Sequence, residues 1–159
     1  MLKVSQKSEY ALRAMIELAL RRGREGDALV SARAIAESQH IPLRFLEQQP
    51  GALHKAGLVE SFRGAGGGCR LSRDPSTVRM ADIIDAVEGP LYPMTCLDEH
   101  DHSCWQTGQC GLQELWGEVL FAIRGVLETT TLAVLAERHQ HAAEHRVVWT
   151  PDELIKPRG

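Results

Sequence analysis

The sequence predicts a mainly α-helical protein with one small β-hairpin wing, a winged helix-turn-helix followed by a long dimerisation helix. Three observations predict it. Three short segments of helical period, separated by tight turns, occupy the first fifty or so residues. A glycine-rich turn between two short strand-like runs follows them, and an apolar stripe of some 26 residues lies further on.

From Ser8, EYALRAMIELALRR spaces Tyr10, Leu12, Met15, Ile16, Ala19 and Leu20 as one helical face, and Gly23, Gly26 and Asp27 are expected to end it. Ser31 reads as the N-cap of ARAIAES, whose Ala34 and Ile35 pack inward while Arg33 and Glu37 stay in water. Pro42 suits the first position of LRFLEQQ, where Leu43 and Leu46 alternate with Arg44, Glu47 and Gln48. Leu58 to Phe62 then reads as a strand, Arg63 to Gly68 as a turn, and Cys69 to Leu71 as the returning strand. Helix, helix, helix, hairpin is the winged helix-turn-helix order, in which the third helix enters the major groove of DNA and the wing tracks phosphates or the minor groove. Gly64 and its neighbouring glycines allow close approach to a sugar-phosphate chain, with Arg63 and Arg70 supplying charge at the tip and flank. No Gly-x-Gly-x-x-Gly or GK[ST] run accompanies the wing, which excludes the usual nucleotide-phosphate loops.

MADIIDAVEG forms a fourth amphipathic segment, stopped by Gly89 and Pro90. A loop rich in Cys, His and Asp runs from Leu91 to Gly111, and LQELWGEVLFAIRGVLETTTLAVLAE follows with its stripe from Leu112 to Leu135. A continuous helix of that length would span about 39 Å, more than a domain of this size needs internally, so the stripe is expected to meet a second copy.

The composition, 43% hydrophobic and 25% charged, is that of a globular chain. No window approaches the ~18 apolar residues of a membrane span, and the start lacks a signal core, so a cytoplasmic protein is expected. Residues 1–75 hold 12 Lys and Arg against 8 Asp and Glu, a charge of +4, whereas 76–159 hold 6 against 13, or −7. One half therefore suits a polyanion and the other does not.

Cys96, Cys104 and Cys110 fall within fifteen residues. In a reducing compartment such a set is compatible with zinc, a thiol switch, an iron-sulfur site or no ligand at all. The close C-x2–4-C pair of structural zinc sites is missing, although His100 and His102 lie nearby, and gaps of seven and five residues leave slack for a larger, softer body.

EYALRAMIELA, IPLRFLEQ, AGLVESFRGAGGGCRLSR, the DIIDAVEG helix and the Cys96-x7-Cys104-x5-Cys110 spacing occur in an order that resembles the Rrf-two family of bacterial winged-helix regulators. The match covers roughly residues 1–137 and points to the iron-sulfur-binding branch. The resemblance implies a homodimer on a double-stranded DNA operator, with the third helices in adjacent major grooves and a 2Fe-2S or 4Fe-4S cluster on the three cysteines. Arg44, Glu47 and Gln48 match the family's base-facing positions, and Arg63 matches its wing arginine. Glu47 is informative because a carboxylate accepts from cytosine N4 yet repels phosphate, so it contributes selectivity rather than affinity. Ser31, beside Arg33, is a candidate phosphate contact as well as a cap.

For the fourth cluster position, Gln113 stands where one branch of the family has a ligating histidine. Glu9, just before Tyr10, matches the acidic ligand of another, with His102 or His100 as second choices. Two further departures stand out. Gln49-Pro50-Gly51 replaces a helix-forming stretch, which predicts a kinked or shortened third helix. Cys69 occupies a wing position that is commonly aromatic, and it is expected as a small packed side chain rather than a ligand.

The expected organisation is a DNA-binding domain over 1–75, then 76–137 with a helix, the cysteine loop and the long dimerisation helix, then a partly disordered tail over 138–159. The expected function is a DNA-binding regulator, a repressor sensing iron, nitric oxide or redox state. The alternative is a cluster-free repressor of the same fold sensing by cysteine oxidation, zinc or a partner protein. No paired acid and base stands out, so no enzyme activity is expected.

Overall fold

The computed structural model describes residues 4–48, 50–64, 66–92, 94–98, 100, 103–106 and 108–144. Its first helix, α1 (Gln6–Glu25), is the centre of the core. Ser5 caps it by accepting the Ser8 N–H at 3.1 Å. Gly23 lies inside the helix rather than ending it. The stop comes at Gly26, whose φ of 70° suits glycine and whose N–H reaches the Arg22 carbonyl at 3.0 Å.

Helix α2 (Ala32–Gln39) starts from Ser31, whose side chain accepts the Ala34 N–H at 3.2 Å. It ends at His40 in the left-handed region, φ 51°. Two six-residue helices follow, α3 (Leu43–Gln48) and α4 (Pro50–Lys55). Proline lacks the N–H that a helix interior needs but is tolerated in a first turn, so the chain restarts at Pro50 and the recognition segment is shortened. Gln49 lies outside the described residues.

Strands β1 (Val59–Phe62) and β2 (Gly68–Leu71) form the antiparallel hairpin, with Glu60 opposite Arg70 and Ser61 opposite Cys69. A backbone bridge fastens the wing to the body, beside the packing of Val59 and Leu71 in the core and the Arg70 donation to the Asp27 carbonyl. Val30 and Cys69 exchange both backbone hydrogen bonds, each 2.9 Å, as an isolated antiparallel bridge. Cys69 is half-buried there, and burial pushes its thiol up to about 11, consistent with a packing residue.

Helix α5 (Met80–Glu88) packs on α1, and the cysteine loop leads to α6 (Gly111–Thr129) and α7 (Leu132–Glu144). The stripe read as one long helix is therefore two helices. Thr130 leaves helical geometry at ψ 117°, where its carbonyl accepts the Met80 N–H at 3.0 Å, and the Leu132 N–H bonds the Val78 carbonyl at 2.8 Å. This pairing with the start of α5 turns the chain so that α7 returns to α1, burying Leu132 and Ala136. The helix continues past residue 138 to Glu144, and 145–159 lie outside the described residues.

Met15, Ile35, Leu58, Ile83 and Leu132 are fully enclosed around α1, each contributing about 1.5–3 kcal/mol relative to exposure. One charged residue shares this region. Glu17 is buried; burial alone would raise its pKa, but hydrogen bonds from Arg21 at 2.7 Å and Gln39 at 2.9 Å outweigh that and hold it below the usual carboxylate range. A depressed carboxyl contributes stability above its unfolded-state pKa and loses it as pH falls through the folded value. Glu17→Gln is therefore expected to flatten the acid limb of a Tm-against-pH curve. An unchanged acid limb would show that Glu17 does not supply it.

Candidate nucleic-acid interface and cysteine loop

On α3 the alternation of the sequence becomes an inside and an outside. Leu46 is buried and Phe45 packs edge-on against Tyr10 of α1, centroids 5.0 Å apart, while Arg44 and Glu47 are exposed. The Tyr10–Phe45 contact sets the roll of this short helix and hence where Arg44 and Glu47 point. Of the Gln48 side chain nothing is described. Ser31 and Arg33 are exposed at the start of α2, with the Ser31 oxygen engaged as the cap.

Arg63 and Gly64 stand exposed at the wing tip, where φ values of 104° at Gly64 and 80° at Gly66 demand glycine. Arg70, the charge expected at the flank of the wing, is engaged within the hairpin. It pairs with Glu60 across the hairpin at 2.8 Å and lies over the Phe62 ring, 5.5 Å from its centroid. Sequence reading missed this pairing. The signal was present in the strand register, which sets Glu60 opposite Arg70.

The cysteines follow α5 in the chain. Cys96 sits on the short turn Thr95–Leu97, Cys104 in the loop, and Cys110 at the N-cap of α6 without a side-chain capping bond. All three are half-buried. Among the described residues, no three of His, Cys, Asp and Glu come together as a group able to hold a metal ion. Glu9 is exposed and ion-paired with Arg13 at 2.6 Å. His100 is exposed, and His102 lies outside the described residues.

Two sets of contacts tie this loop to the rest of the chain. Arg124 of α6 grips both oxygens of Asp85 on α5 at 2.7 and 2.8 Å, so the helices flanking the loop move together. At the far end of α5, Glu88 accepts from Ser5 and from Ser8, the latter at 3.0 Å, and Lys7 donates to the Val87 carbonyl. The Ser5 hydroxyl above all holds the Glu88 carboxyl below its ordinary range. The start of α1, which carries Glu9, is thereby fastened to the segment that enters the loop.

This arrangement, a winged helix-turn-helix joined through α5 to a cysteine loop and an uncovered helix, matches one family. Residues 4–138 match the Rrf2 family, described as iron-dependent transcriptional regulators. The chain belongs to the Rrf2 family. Its relatives include the HTH-type transcriptional regulator CymR of Bacillus subtilis (strain 168), 38% identical over 135 residues, covering 85% of this chain and 90% of that one. The solved structure of CymR, the global cysteine regulator of B. subtilis, aligns with a TM-score of 0.71 at 37% identity over 87% of this chain and 98% of that one. T. potens IscR gives a TM-score of 0.68 at 34% identity over 94% of each chain. The HTH-type regulator NsrR of B. subtilis is 31% identical over 139 residues, 87% of this chain and 93% of that one. As Rrf2 members these are DNA-binding transcriptional regulators rather than enzymes. No described helix of the present chain is long and apolar enough to cross a membrane.

Proposed function

We propose that this Rrf2 protein is a cytoplasmic homodimeric repressor that reads a double-stranded operator with α3 and the wing and is switched at its cysteine loop. The observation that carries the reading is the exposure of Arg44 and Glu47 on the shortened recognition helix and of Arg63 and Gly64 at the glycine-tipped wing, with Glu47, Arg63 and Gly64 lining one cleft. Arg44 would donate to base acceptors or phosphate, Glu47 would accept from cytosine N4, and the Gly64 backbone would lie against sugar-phosphate.

The donor chemistry of the loop, three thiols on one segment, suits an iron-sulfur cluster on Cys96, Cys104 and Cys110 with Glu9 as the fourth ligand. The arrangement described does not assemble that group: the cysteines are not gathered and Glu9 is engaged by Arg13. The likeness to CymR, the global cysteine regulator of B. subtilis, favours a second reading, in which the loop responds by cysteine oxidation, zinc or a partner without a cluster. In either reading the signal acts only through a difference in DNA affinity between two loop states, about 1–3 kcal/mol for an ordinary switch. The Asp85–Arg124 and Glu88–Ser8 contacts supply a path from the loop through α5 to the body of the DNA-binding domain.

A salt titration of binding to duplexes selected from a random pool tests the proposal, run on anaerobically purified protein with iron and acid-labile sulfide counted per chain, and again after their removal. Binding is expected to weaken steeply with salt, and Arg63→Ala to reduce the logarithmic slope by about one. Arg44→Ala is expected to cost about 1–3 kcal/mol and relax the selected sequence. Matching iron and sulfide would support the cluster, and their absence with oxidant-sensitive binding would support the second reading. No sequence selection at any salt would overturn the operator reading.

A further inference from the structure

Helix α6 begins with an arrangement that an ordinary helix start does not require. Gln113 occupies its third position, from which a glutamine commonly reaches back to the N–H of its own N-cap residue. Here the side chain turns outward to the loop instead. Its Oε1 accepts the Gly108 N–H at 2.8 Å, and its Nε2 donates to the Cys96 carbonyl at 3.0 Å. One side chain thus joins the turn that carries the first cysteine to the turn that precedes the last.

The surroundings make this contact specific. Gly108 has φ 84°, a conformation that L side chains rarely adopt, and the adjacent turn is closed by the Gln109 N–H on the Gln106 carbonyl at 3.0 Å. Next to Cys96, Leu97 packs against α6 so closely that its Cδ2 lies 4.0 Å from where a Cβ on Gly117 would stand. Gln113 and Gly117 are four residues apart and share one side of α6. The first cysteine turn is therefore held to α6 twice, by an apolar contact and by the Gln113 amide. A side chain with only an acceptor or only a donor would make one of the two Gln113 bonds.

We propose that Gln113 is a positioning residue, the latch that fixes the resting geometry of the cysteine loop and governs the reactivity of Cys96. It deepens the reading above, since a latch on this loop matters to regulation only if the loop is the sensing element. While both bonds are made, the Cys96 turn stays against α6 and its thiol half-buried. When the bond to the Cys96 carbonyl is lost, that turn is released from α6 and Cys96 becomes available to an electrophile, an oxidant or a metal.

Two variants of the full-length, reduced, metal-free protein separate the bonds. Gln113→Met has similar length and makes neither, whereas Gln113→Glu keeps an acceptor for Gly108 and loses the donor to Cys96. Amide exchange at Gly108 and iodoacetamide labelling of Cys96 are followed by mass spectrometry, with Cys69 in the wing as the internal reference. Gln113→Met is expected to raise each by about fivefold to tenfold, the worth of the one ordinary hydrogen bond lost at that site. Gln113→Glu is expected to raise Cys96 labelling while leaving Gly108 protected, a split that general loosening of α6 would not produce. Wild-type rates in both variants, or a rise at Cys69 equal to that at Cys96, would overturn the latch. DNA binding indifferent to iron, sulfide and oxidant would remove the sensing role while the exchange result stood; a responsive protein with unchanged exchange would remove the latch alone.

Discussion

Leu115→Glu is expected to convert the protein to a single-chain species and to lower its affinity for a two-half-site operator by about a hundredfold or more, since linked binding at two sites commonly supplies that much. No described residue of α6 is buried, although the helix carries a sustained apolar stripe. Leu112, Leu115 and Val126 are 56%, 51% and 64% exposed, and with half-buried Val119 they fall on one face. The opposite face is already used, by Gln113 and Gly117 toward the loop and by Arg124 toward Asp85. A helix of 19 residues with one side anchored and an apolar side open fits a symmetric pairing with a second copy. A glutamate in the middle of that face would be buried without a partner and would block the pairing. Mass by light scattering and binding to one-half-site and two-half-site duplexes check the expectation. A variant that remains dimeric and binds the full operator as wild type would place the dimer contact elsewhere.

What was legible in the sequence follows from how local each cause is. Ser31 capping α2, the glycine tip of the wing and the shortening of the third helix before Pro50 depend on a few adjacent residues, and the structure has them as read. The end of α6 has a different cause. The 3.6-residue period runs through Thr129-Thr130-Thr131 without a break, and the turn there is imposed by backbone groups of Val78 and Met80, some fifty residues away. Tertiary pairing overrode a continuous local pattern, and no window around Thr130 contains that information. The candidate sites divide in the same way. Arg44, Glu47 and Arg63 were recognisable as exposed positions on predicted elements, whereas the charge of Arg70 is taken up by a strand partner ten residues earlier. Gln113 stood out only as a departure from a ligand position. Its contacts with Cys96 and Gly108 depend on how the loop returns to α6, which spacing alone does not fix.

Gly68→Ala is expected to destabilise the fold and weaken DNA binding together, because this residue sits beside the backbone bridge that joins the wing to Val30. A Cβ on Gly68 would stand 2.5 Å from the Val30 carbonyl oxygen and 2.7 Å from its carbon, and neither is a flexible side chain that could move aside. The Val30–Cys69 bridge must therefore open, and with it two hydrogen bonds of 2.9 Å. Overpacking costs about 1–3 kcal/mol. For a chain of this size that lowers Tm by roughly 3–10 °C. Freed from Val30, the wing no longer holds Arg63 at a fixed distance from α3, so operator affinity falls even where the protein remains folded. Gly23→Ala provides the contrast. Its Cβ meets nothing within 4 Å and its backbone is helical, so replacing this α1 glycine should stabilise by about 0.5–1 kcal/mol. Thermal unfolding and operator titration of the two variants side by side check both signs. If Gly68→Ala melts and binds like wild type, the wing is not held by this bridge, and the position of Arg63 must be set by contact with DNA instead.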